Sequence, residues 1–309
     1  MHLSKIHVLA SYFNPVRYKS RKRNHLKWDR YWKRSGIEPW VVEVALGNRR
    51  FEVTDEDNPR HLQLRSLNEI WHKESSLNLL VQRLPRDWEI AVTSDNDVVS
   101  LQNGKKWLCD IIHAHQSYEI VQPFQSALDL GPHGQTLKTH DGFVFSHLDG
   151  NKEFTRAYGS WHPGYIWSYT KRAWNSIGGL FTAAVLGSGD DHMAKSLIGR
   201  GKDSLPTGLH PDYRRLVLDW EFQAQETKLD LGYLPHTIKH FFGGPKISRK
   251  YWSRWDGLRS IDDDGGFSPI IDLKLDWQGL WQLGDRSIKR RDFIRKYFRT
   301  RREDSIDVE

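Results

Sequence analysis

The sequence has little cysteine and no long hydrophobic run. Cys109 is the single cysteine among 309 residues, which excludes an intrachain disulfide. Neither a signal-peptide pattern nor an apolar run of transmembrane length is present, and no internal repeat or low-complexity segment is visible. These absences predict a soluble protein of a reducing cytoplasm rather than a secreted, fibrous or membrane-spanning protein.

The charge is moderately basic and tryptophan is abundant. Lys plus Arg total 46 against 39 Asp plus Glu, which gives a net charge of +7 and a pI near 9.3. This balance favours polyanionic partners such as nucleic acid, nucleotide diphosphates or acidic membrane surfaces. The 14 tryptophans offer flat faces for sugar rings or nucleobases, although core packing is the commoner use of this residue.

The hydrophobic periodicity alternates between strands and helices, which predicts an α/β protein with a mostly parallel sheet and right-handed crossovers. The expected strands cover residues 6–10, 40–46, 61–64, 89–93, 119–122, 165–169 and 233–242. The expected helices cover residues 17–35, 67–84, 105–113, 171–177, 211–229 and 288–302, with another beginning at residue 190. Residues 130–159 are rich in Gly, His and Asp with weak periodicity, so we expect a long irregular loop there.

The first candidate site is an acidic pair at a strand end. Asp95 and Asp97 flank Asn96 immediately after the apolar strand that ends near Thr93. Open α/β sheets bind ligands at this edge, and carboxylate oxygens suit Mg²⁺ or Mn²⁺ bridging to a diphosphate. An ordinary Asx-rich turn explains the same three residues, and the sequence leaves both interpretations open.

A second acidic element follows a glycine turn. Gly187-Ser188-Gly189 precedes Asp190 and Asp191 at the start of a predicted helix. A carboxylate there could accept a proton from an attacking hydroxyl, a role typically worth about 10² to 10⁴ in rate. Helix capping is the alternative, because Asp is among the best N-caps. Two acidic elements at the mouth of one predicted sheet are harder to explain as caps alone.

Several motifs, taken in order, resemble bacterial and phage glycosyltransferases of the GT-A fold over about residues 6 to 280. They are residues 8–15 (VLASYFNP), 71–78 (WHKESSLN), 95–97 (DND), 162–164 (HPG), 187–190 (GSGD) and 240–249 (HFFGGPKISR). The resemblance implies a Rossmann-like, mostly parallel mixed sheet flanked by helices, a UDP-sugar donor and a divalent Mn²⁺ or Mg²⁺ cofactor. It divides the chain into a catalytic domain over residues 1–245 and a C-terminal extension over 246–309, with a basic amphipathic helix, packed on the same domain.

The resemblance also implies roles for individual residues. It assigns nucleotide-sugar binding to Ser11, Tyr12, Asn14, Arg17, Lys73, Asp95, His162 and Gly189. It assigns metal binding to Asp95, Asp97 and His240; Gly243 stands where a further histidine is expected, which leaves the third ligand open. It assigns the catalytic base to Asp190, with Asp191 as the competitor. Lys73 has the alternative of a solvated helix lysine.

The acceptor is inferred from two basic segments, residues 17–34 and 289–302, in which aromatic residues interleave with Lys and Arg. Phosphate contacts and aromatic stacking are the ingredients of nucleic-acid binding. The sequence hypothesis is therefore transfer from UDP-glucose to 5-hydroxymethylcytosine in DNA, with inversion favoured over retention and, for a phage protein, in the host cytoplasm. The candidate acceptor contacts are Arg21, Lys22, Arg23, Arg249 and Arg254.

Other interpretations remain open. The basic segments fit a solvated helix face, or a surface that binds an anionic membrane. The acceptor could be a cell-surface glycan, a lipid or a protein, and the chain could also be a nucleic-acid-binding protein whose fold has lost its chemistry. The oligomeric state is left open by the sequence.

Overall fold

The computed structural model describes residues 2–148, 161–261, 263–286 and 288–308, and the following account concerns these residues. The strands are β1 (Ile6–Phe13), β2 (Trp40–Leu46), β3 (His61–Ser66), β4 (Ile90–Ser94), β5 (Val98–Ser100), β6 (Ile120–Gln122), β7 (Ser126–Leu130), β8 (Thr136–Gly142), β9 (Trp161–His162), β10 (Ile166–Thr170), β11 (Leu231–Tyr233), β12 (Thr237–His240), β13 (Leu273–Leu275) and β14 (Trp281–Leu283). The helices are α1 (Lys19–Arg34), α2 (Lys73–Val81), α3 (Gly104–Ala114), α4 (Phe143–Leu148), α5 (Lys171–Ser176), α6 (Gly189–Ser196), α7 (Pro211–Glu226), α8 (Pro269–Asp272) and α9 (Ile288–Arg299).

The main sheet has seven strands in the order β11-β6-β10-β4-β1-β2-β3. Strands β3, β2, β1 and β4 run parallel, β11 runs parallel to β6, and β10 is antiparallel to both of its neighbours. The predicted α/β class and mostly parallel mixed sheet are therefore confirmed. The carboxyl ends of β1 and β4 lie side by side, because Ala10 pairs with Ser94.

Both faces of this sheet are covered. Along β1, Leu9 joins one hydrophobic core, which includes Leu77 of α2, whereas Val8 joins a second core, which includes Trp28 of α1 and Trp107 of α3. Successive side chains of a strand point to opposite faces, so a nearly continuous apolar strand such as β1 serves two cores. A sheet buried on both faces holds its strand ends rigidly, which suits it to position a site.

A second sheet, in the order β5-β12-β7-β8-β9, adjoins the end of β4. The chain enters β5 immediately after Asp97, and β5 pairs with β12 so that Val98 lies opposite His240. Strand β12 in turn runs parallel to β7, which places His240 opposite Asp129. This sheet therefore brings residues from three distant parts of the chain to the end of β4.

The residues after 245 share the main core. Trp255, Phe267, Ile294 and Phe298 are buried in the same hydrophobic cluster as Leu77. The division of the chain at residue 245 stays a prediction. In the described part of the chain, no helix combines the length and the apolar character that crossing a bilayer requires.

Two predicted elements have different bounds in the structure, and one predicted loop contains regular secondary structure. Helix α2 begins at Lys73 rather than residue 67, because the N–H of Trp71 donates to the carbonyl of Val185 (2.7 Å) instead of to a helical carbonyl. The predicted strand 233–242 divides into β11 and β12 around Pro235, which has no N–H for a strand ladder.

The predicted irregular loop over residues 130–159 is wrong for its first part, which contains β8 and α4. The outer residues of β8, from Thr136 to Thr139, are exposed, so the apolar alternation that marks a strand is missing there. The remainder of that predicted loop, residues 149–159, lies outside the described residues.

Candidate functional site

The acidic pair lies at the carboxyl end of β4, as the sequence predicts. The side-chain amide of Asn96 donates to the carbonyl of Ser11 at the end of β1 (2.9 Å), and the backbone N–H of Asp95 donates to the carbonyl of Tyr165 (2.7 Å). These bonds tie the Asp95–Asp97 turn to both neighbouring strands. Asp95 and Asp97 consequently face one cavity together with Ser11 and Tyr12.

His240 lies beside Asp97. The N–H of Phe241 donates to the carbonyl of Asp97 (2.8 Å), and His240 Nε2 is 3.5 Å from Asp97 Oδ2. Although burial opposes the imidazolium, the carboxylates of Asp97 and Asp129 raise the pKa of His240 to about 9. Burial likewise opposes ionisation of Asp97, but His240 and Arg249 lower its pKa. The imidazolium of His240 and the carboxylate of Asp97 therefore stabilise each other.

Asp129 is a buried carboxylate that the sequence analysis missed. It is 3% exposed and accepts hydrogen bonds from His140 Nε2 (2.7 Å), the Tyr165 hydroxyl (2.7 Å) and His240 Nδ1 (2.8 Å), and it pairs with Lys246. Burial opposes its ionisation, but these hydrogen bonds and charges hold the pKa of Asp129 well below its ordinary value. The bond to Nδ1 leaves Nε2 of His240 facing Asp97.

The donor set fits a divalent cation in part. Among the described residues, no three His, Cys, Asp or Glu side chains already form a metal-binding group. The 3.5 Å between Asp97 Oδ2 and His240 Nε2 is, however, close to the separation of about 3 Å between adjacent ligands of one ion. A carboxylate that holds the second nitrogen of a ligating histidine is also the common arrangement in metal sites. Asp97 and His240 would hold the ion, with Asp95 beside them.

Asp95 forms an ion pair with Lys73, the first residue of α2. Burial opposes the ammonium, but the carboxylates of Asp95, Glu74 and Asp190 raise the pKa of Lys73. Lys73 is therefore a cation within the cavity, and its side chain is only 22% exposed, so it is not a fully solvated helix lysine.

Glu74 is a second cavity residue that the sequence analysis missed. It is 4% exposed, and this burial raises the pKa of Glu74 to about 7. The positive charge of Lys73 acts against this increase, and the negative charge of Asp190 adds to it. The glycine at position 189 leaves room for the Glu74 side chain, because a Cβ on residue 189 would lie only 2.9 Å from Glu74 Oε1. Glu74 follows Lys73 in a motif that carries the resemblance, so its position was visible in the sequence while its burial was not.

The two candidate bases occupy different environments. Asp190 lines the cavity with Asp95 and Asp97, and its Oδ1 accepts the backbone N–H of Asp191 (3.0 Å). The carboxylate lies so close to Gly164 that a Cβ there would clash with it. Asp191 instead forms an ion pair with Lys195 (3.1 Å), whose side chain is 2% exposed. Burial raises the pKa of Asp191 to about 6, against the effect of Lys195.

Two strained residues border the cavity. Ser188, directly before α6, has φ of 77°, and Tyr165 has φ of 76°. This left-handed conformation is costly for residues with side chains and is retained where the surroundings impose it, often at functional sites. Ser188 accepts a hydrogen bond from Arg254, and the Tyr165 ring stacks on His162 with centroids 3.8 Å apart. His162 and Ser188 both line the cavity.

The same cavity also has a cationic lining, which comes largely from residues after 243. Its four arginines include the predicted Arg21, Arg249 and Arg254 together with Arg301, which was missed. Glu303 forms ion pairs with both Arg21 and Arg301 (2.7 Å to the latter). Burial opposes ionisation of Glu303, but these two cations outweigh burial and lower the pKa of Glu303 to about 2. A wall of this kind suits a phosphate-bearing ligand, because guanidinium groups match phosphate oxygens.

Five predicted binding residues, one of them Gly189, do not line this cavity. Arg17, Lys22 and Arg23 instead line a separate, exposed groove along the start of α1. Asn14 does not line the cavity; its amide donates to the Tyr12 hydroxyl (3.1 Å) and to the carbonyl of Tyr18 (3.0 Å), so it orders the loop after β1.

Four aromatic residues of the basic segments offer no stacking faces, whereas Tyr18 and Tyr31 are half-buried. Trp28 and Trp32 are 0% exposed, and Trp32 stacks on Trp107 with centroids 5.7 Å apart. Tyr297 and Phe298 of α9 are buried in the main core. The expectation that these aromatics stack on nucleobases is therefore wrong, because amphipathic helices place them against the core and leave the charges outside.

No protein-family model and no curated protein sequence matches this chain. Similar solved structures include the catalytic domain of Drosophila β1,4-galactosyltransferase 7 with xylobiose, at 10% identity and a TM-score of 0.37 over 94% of this chain and 98% of that one. A mutant of the same enzyme, with manganese, UDP-Gal and xylobiose, is 10% identical with a TM-score of 0.40 over 93% and 98%. Rv0371c of Mycobacterium tuberculosis with manganese is 11% identical with a TM-score of 0.27 over 55% and 73%. Values this low assign no function.

Proposed function

We propose that this protein is a metal-dependent glycosyltransferase of the GT-A type that uses a UDP-sugar donor. One observation carries the proposal: Asp97 beside His240, Asp190 and a wall of arginines face the same cavity at the carboxyl edge of an α/β sheet. Carboxylates for a cation, cations for a diphosphate and a carboxylate for proton transfer are the three components that this reaction needs.

The reaction assigns a role to each wall. The acceptor oxygen forms a bond to the anomeric carbon, the bond from that carbon to the phosphate oxygen breaks, and the nucleoside diphosphate leaves with the electron pair. Asp190 accepts the acceptor proton, and attack from the side opposite the leaving group inverts the anomeric centre. A bound divalent cation supplies Lewis-acid stabilisation of the departing diphosphate. Arg249 and Arg254, which line the same cavity, contribute positive charge that stabilises this group.

Of the two candidates for the base, Asp190 is favoured. It lines the cavity of the acidic pair, whereas the carboxylate of Asp191 is neutralised by Lys195. A general base must lie within reach of the hydroxyl that attacks the donor sugar, and the position of Asp190 in this cavity meets that requirement.

The donor site is tested by titrating UDP into the protein by calorimetry, with and without Mn²⁺. We expect tight binding in the presence of Mn²⁺, and Asp97→Ala should weaken it by more than about 100-fold while the circular dichroism spectrum is retained. Asp57→Ala, in an exposed loop, is the matched control and should bind like the parent. If UDP binds the parent equally well with and without the metal, the proposed function is wrong.

Two acceptor classes have support. The sequence hypothesis, UDP-glucose transfer to 5-hydroxymethylcytosine in DNA, is supported by the exposed basic side chains of α1, such as Arg23, Lys27 and Arg30. A saccharide acceptor is supported by a tryptophan-lined pocket next to Asp190.

A transfer screen read by mass spectrometry separates them, with hydroxymethylcytosine DNA, unmodified DNA and neutral saccharides as acceptors and UDP-glucose among the donors. Labelling of modified DNA alone, which weakens steeply with salt, would support the DNA hypothesis. Equal labelling of both DNAs, or of neither, would refute it.

A further inference from the structure

We name the cavity that contains Asp97, Asp190 and the four arginines the donor cavity. A second cavity lies directly beside it. We name it the tryptophan pocket, and it is lined by Trp161, Trp252 and Trp255, by Asp191 and Lys195, and by Tyr251. Trp161 and Trp255 belong to the main hydrophobic core and form part of the pocket wall. Large aromatic rings are normally kept in the core, so an indole beside them that is left accessible indicates a surface that presents a ring face to a ligand.

The two cavities share a border. Ser188 and Tyr251 line both of them. At the start of α6, Asp190 lines the donor cavity while its neighbour Asp191 lines the tryptophan pocket. A molecule in the tryptophan pocket therefore has its nearest edge next to Asp190, the group that accepts the proton in the proposed reaction.

The charges of the tryptophan pocket are balanced. Asp191 pairs with Lys195 (3.1 Å), and Asp256 pairs with Arg259, so the four charged side chains contribute no net charge. The donor cavity, by contrast, carries an arginine wall. A phosphodiester chain gains affinity mainly from unneutralised cations, which the tryptophan pocket does not supply. A neutral ligand with many hydroxyl groups suits ion pairs and serines better, because it donates to carboxylates and accepts from cations.

Trp252 supplies an accessible ring face, since it is 56% exposed, whereas Trp255 is 7% exposed. The face of an indole is electronegative, and the C–H groups on one side of a pyranose ring are slightly electropositive and apolar. We propose that the tryptophan pocket binds the acceptor of the reaction, that this acceptor is a neutral saccharide, and that its ring stacks on Trp252. This inference rests on the proposed function.

The geometry gives the transfer a direction. With the saccharide in the tryptophan pocket, one of its hydroxyls reaches across the border at Ser188. Its oxygen bonds to the anomeric carbon of the donor sugar, its proton passes to Asp190, and UDP departs with the electrons of the broken bond. The product is a glycoside extended by one sugar, held across both cavities.

The test compares Trp252→Ala with Trp277→Ala, a 92% exposed tryptophan in the β13–β14 hairpin that serves as the matched control. The acceptors are a panel of neutral mono- and disaccharides, with a hydroxymethylcytosine oligonucleotide beside them. For the saccharide that is labelled best, Trp252→Ala should raise the acceptor KM about three- to tenfold, the loss expected for one aromatic contact. The Kd for UDP with Mn²⁺ should stay within about twofold of the parent, because Trp252 does not line the donor cavity. Trp277→Ala should change neither value.

The outcomes separate this inference from the proposed function. If the parent protein shows no metal-dependent binding of UDP, both the proposed function and the saccharide inference are overturned. Intact UDP binding and slow hydrolysis of the UDP-sugar by water, with modified DNA labelled and no saccharide labelled, would overturn the saccharide inference alone. An unchanged acceptor KM in Trp252→Ala would overturn it as well.

Discussion

The pair Asp190 and Asp191 gives the sharpest test, because the structure predicts opposite effects for the same substitution at adjacent positions. Asp190→Asn removes a proton acceptor from the cavity but breaks no ion pair that the structure describes. Turnover should therefore fall about 10²- to 10⁴-fold. The Kd for the UDP-sugar should change little, since a general base acts in the transition state rather than in donor binding.

Asp191→Asn should mainly affect stability. Lys195 lies 3.1 Å from Asp191 and its side chain is 2% exposed, so the substitution leaves a buried ammonium without its carboxylate. Removing one partner of a buried ion pair typically costs about 3–5 kcal/mol in the free energy of unfolding. Turnover of the folded fraction should fall less than for Asp190→Asn, because Asp191 lines the neighbouring cavity.

The assays are urea unfolding, followed by circular dichroism, and single-turnover kinetics with the best acceptor from the screen. The expected pattern is a stable, inactive Asp190→Asn and a destabilised, partly active Asp191→Asn. The reverse pattern, in which only Asp191→Asn loses turnover while its unfolding free energy is unchanged, would show that the roles of the two carboxylates are exchanged.

Two further predictions concern residues that support the site. Asp129→Asn removes the carboxylate that holds Nδ1 of His240, so the affinity for UDP in the presence of Mn²⁺ should fall about 10- to 100-fold. The control Asp141→Asn, on β8, should not change this affinity. Equal affinities of the two variants by calorimetry would argue against a positioning role for Asp129. Burial is the main cause that raises the pKa of Glu74 from its ordinary value of 4.5 to about 7 in the native state. Between these two pH values, the native state therefore keeps a proton that the unfolded chain releases. Rising pH should then lower the free energy of unfolding by about 3 kcal/mol, and this slope should be absent in Glu74→Gln when both are unfolded in urea with a chelator present.

The sequence predicts the parts of the site that follow strand or helix ends. Asp97 follows the end of a periodic strand, so the topology rule places it at the sheet edge before any coordinates are known, and Asp190 is marked by the glycine turn at the start of its helix. The fold class follows from the same periodicity. Strand β8 escapes this reasoning because most of its residues are exposed and polar.

Residues that work through long-range contacts could not be predicted. Asp129 holds His240 only because β7 and β12 pair in a particular register, and the sequence does not specify that register. Arg301 and Glu303 enter the cavity from a segment whose basic pattern suggests a solvated helix. The aromatic residues of α1 show the converse error, because interleaving with basic residues does not tell which face a helix buries.

Three of the four arginines of the donor cavity come from a later part of the chain than its carboxylates. Asp95, Asp97 and Asp190 precede residue 200, whereas Arg249, Arg254 and Arg301 follow residue 243. During synthesis on the ribosome, these carboxylates therefore emerge long before most of the guanidinium groups that line the same cavity. The cavity can be completed only after Arg301 has left the ribosome, so a ligand that needs all four arginines can bind only late in synthesis.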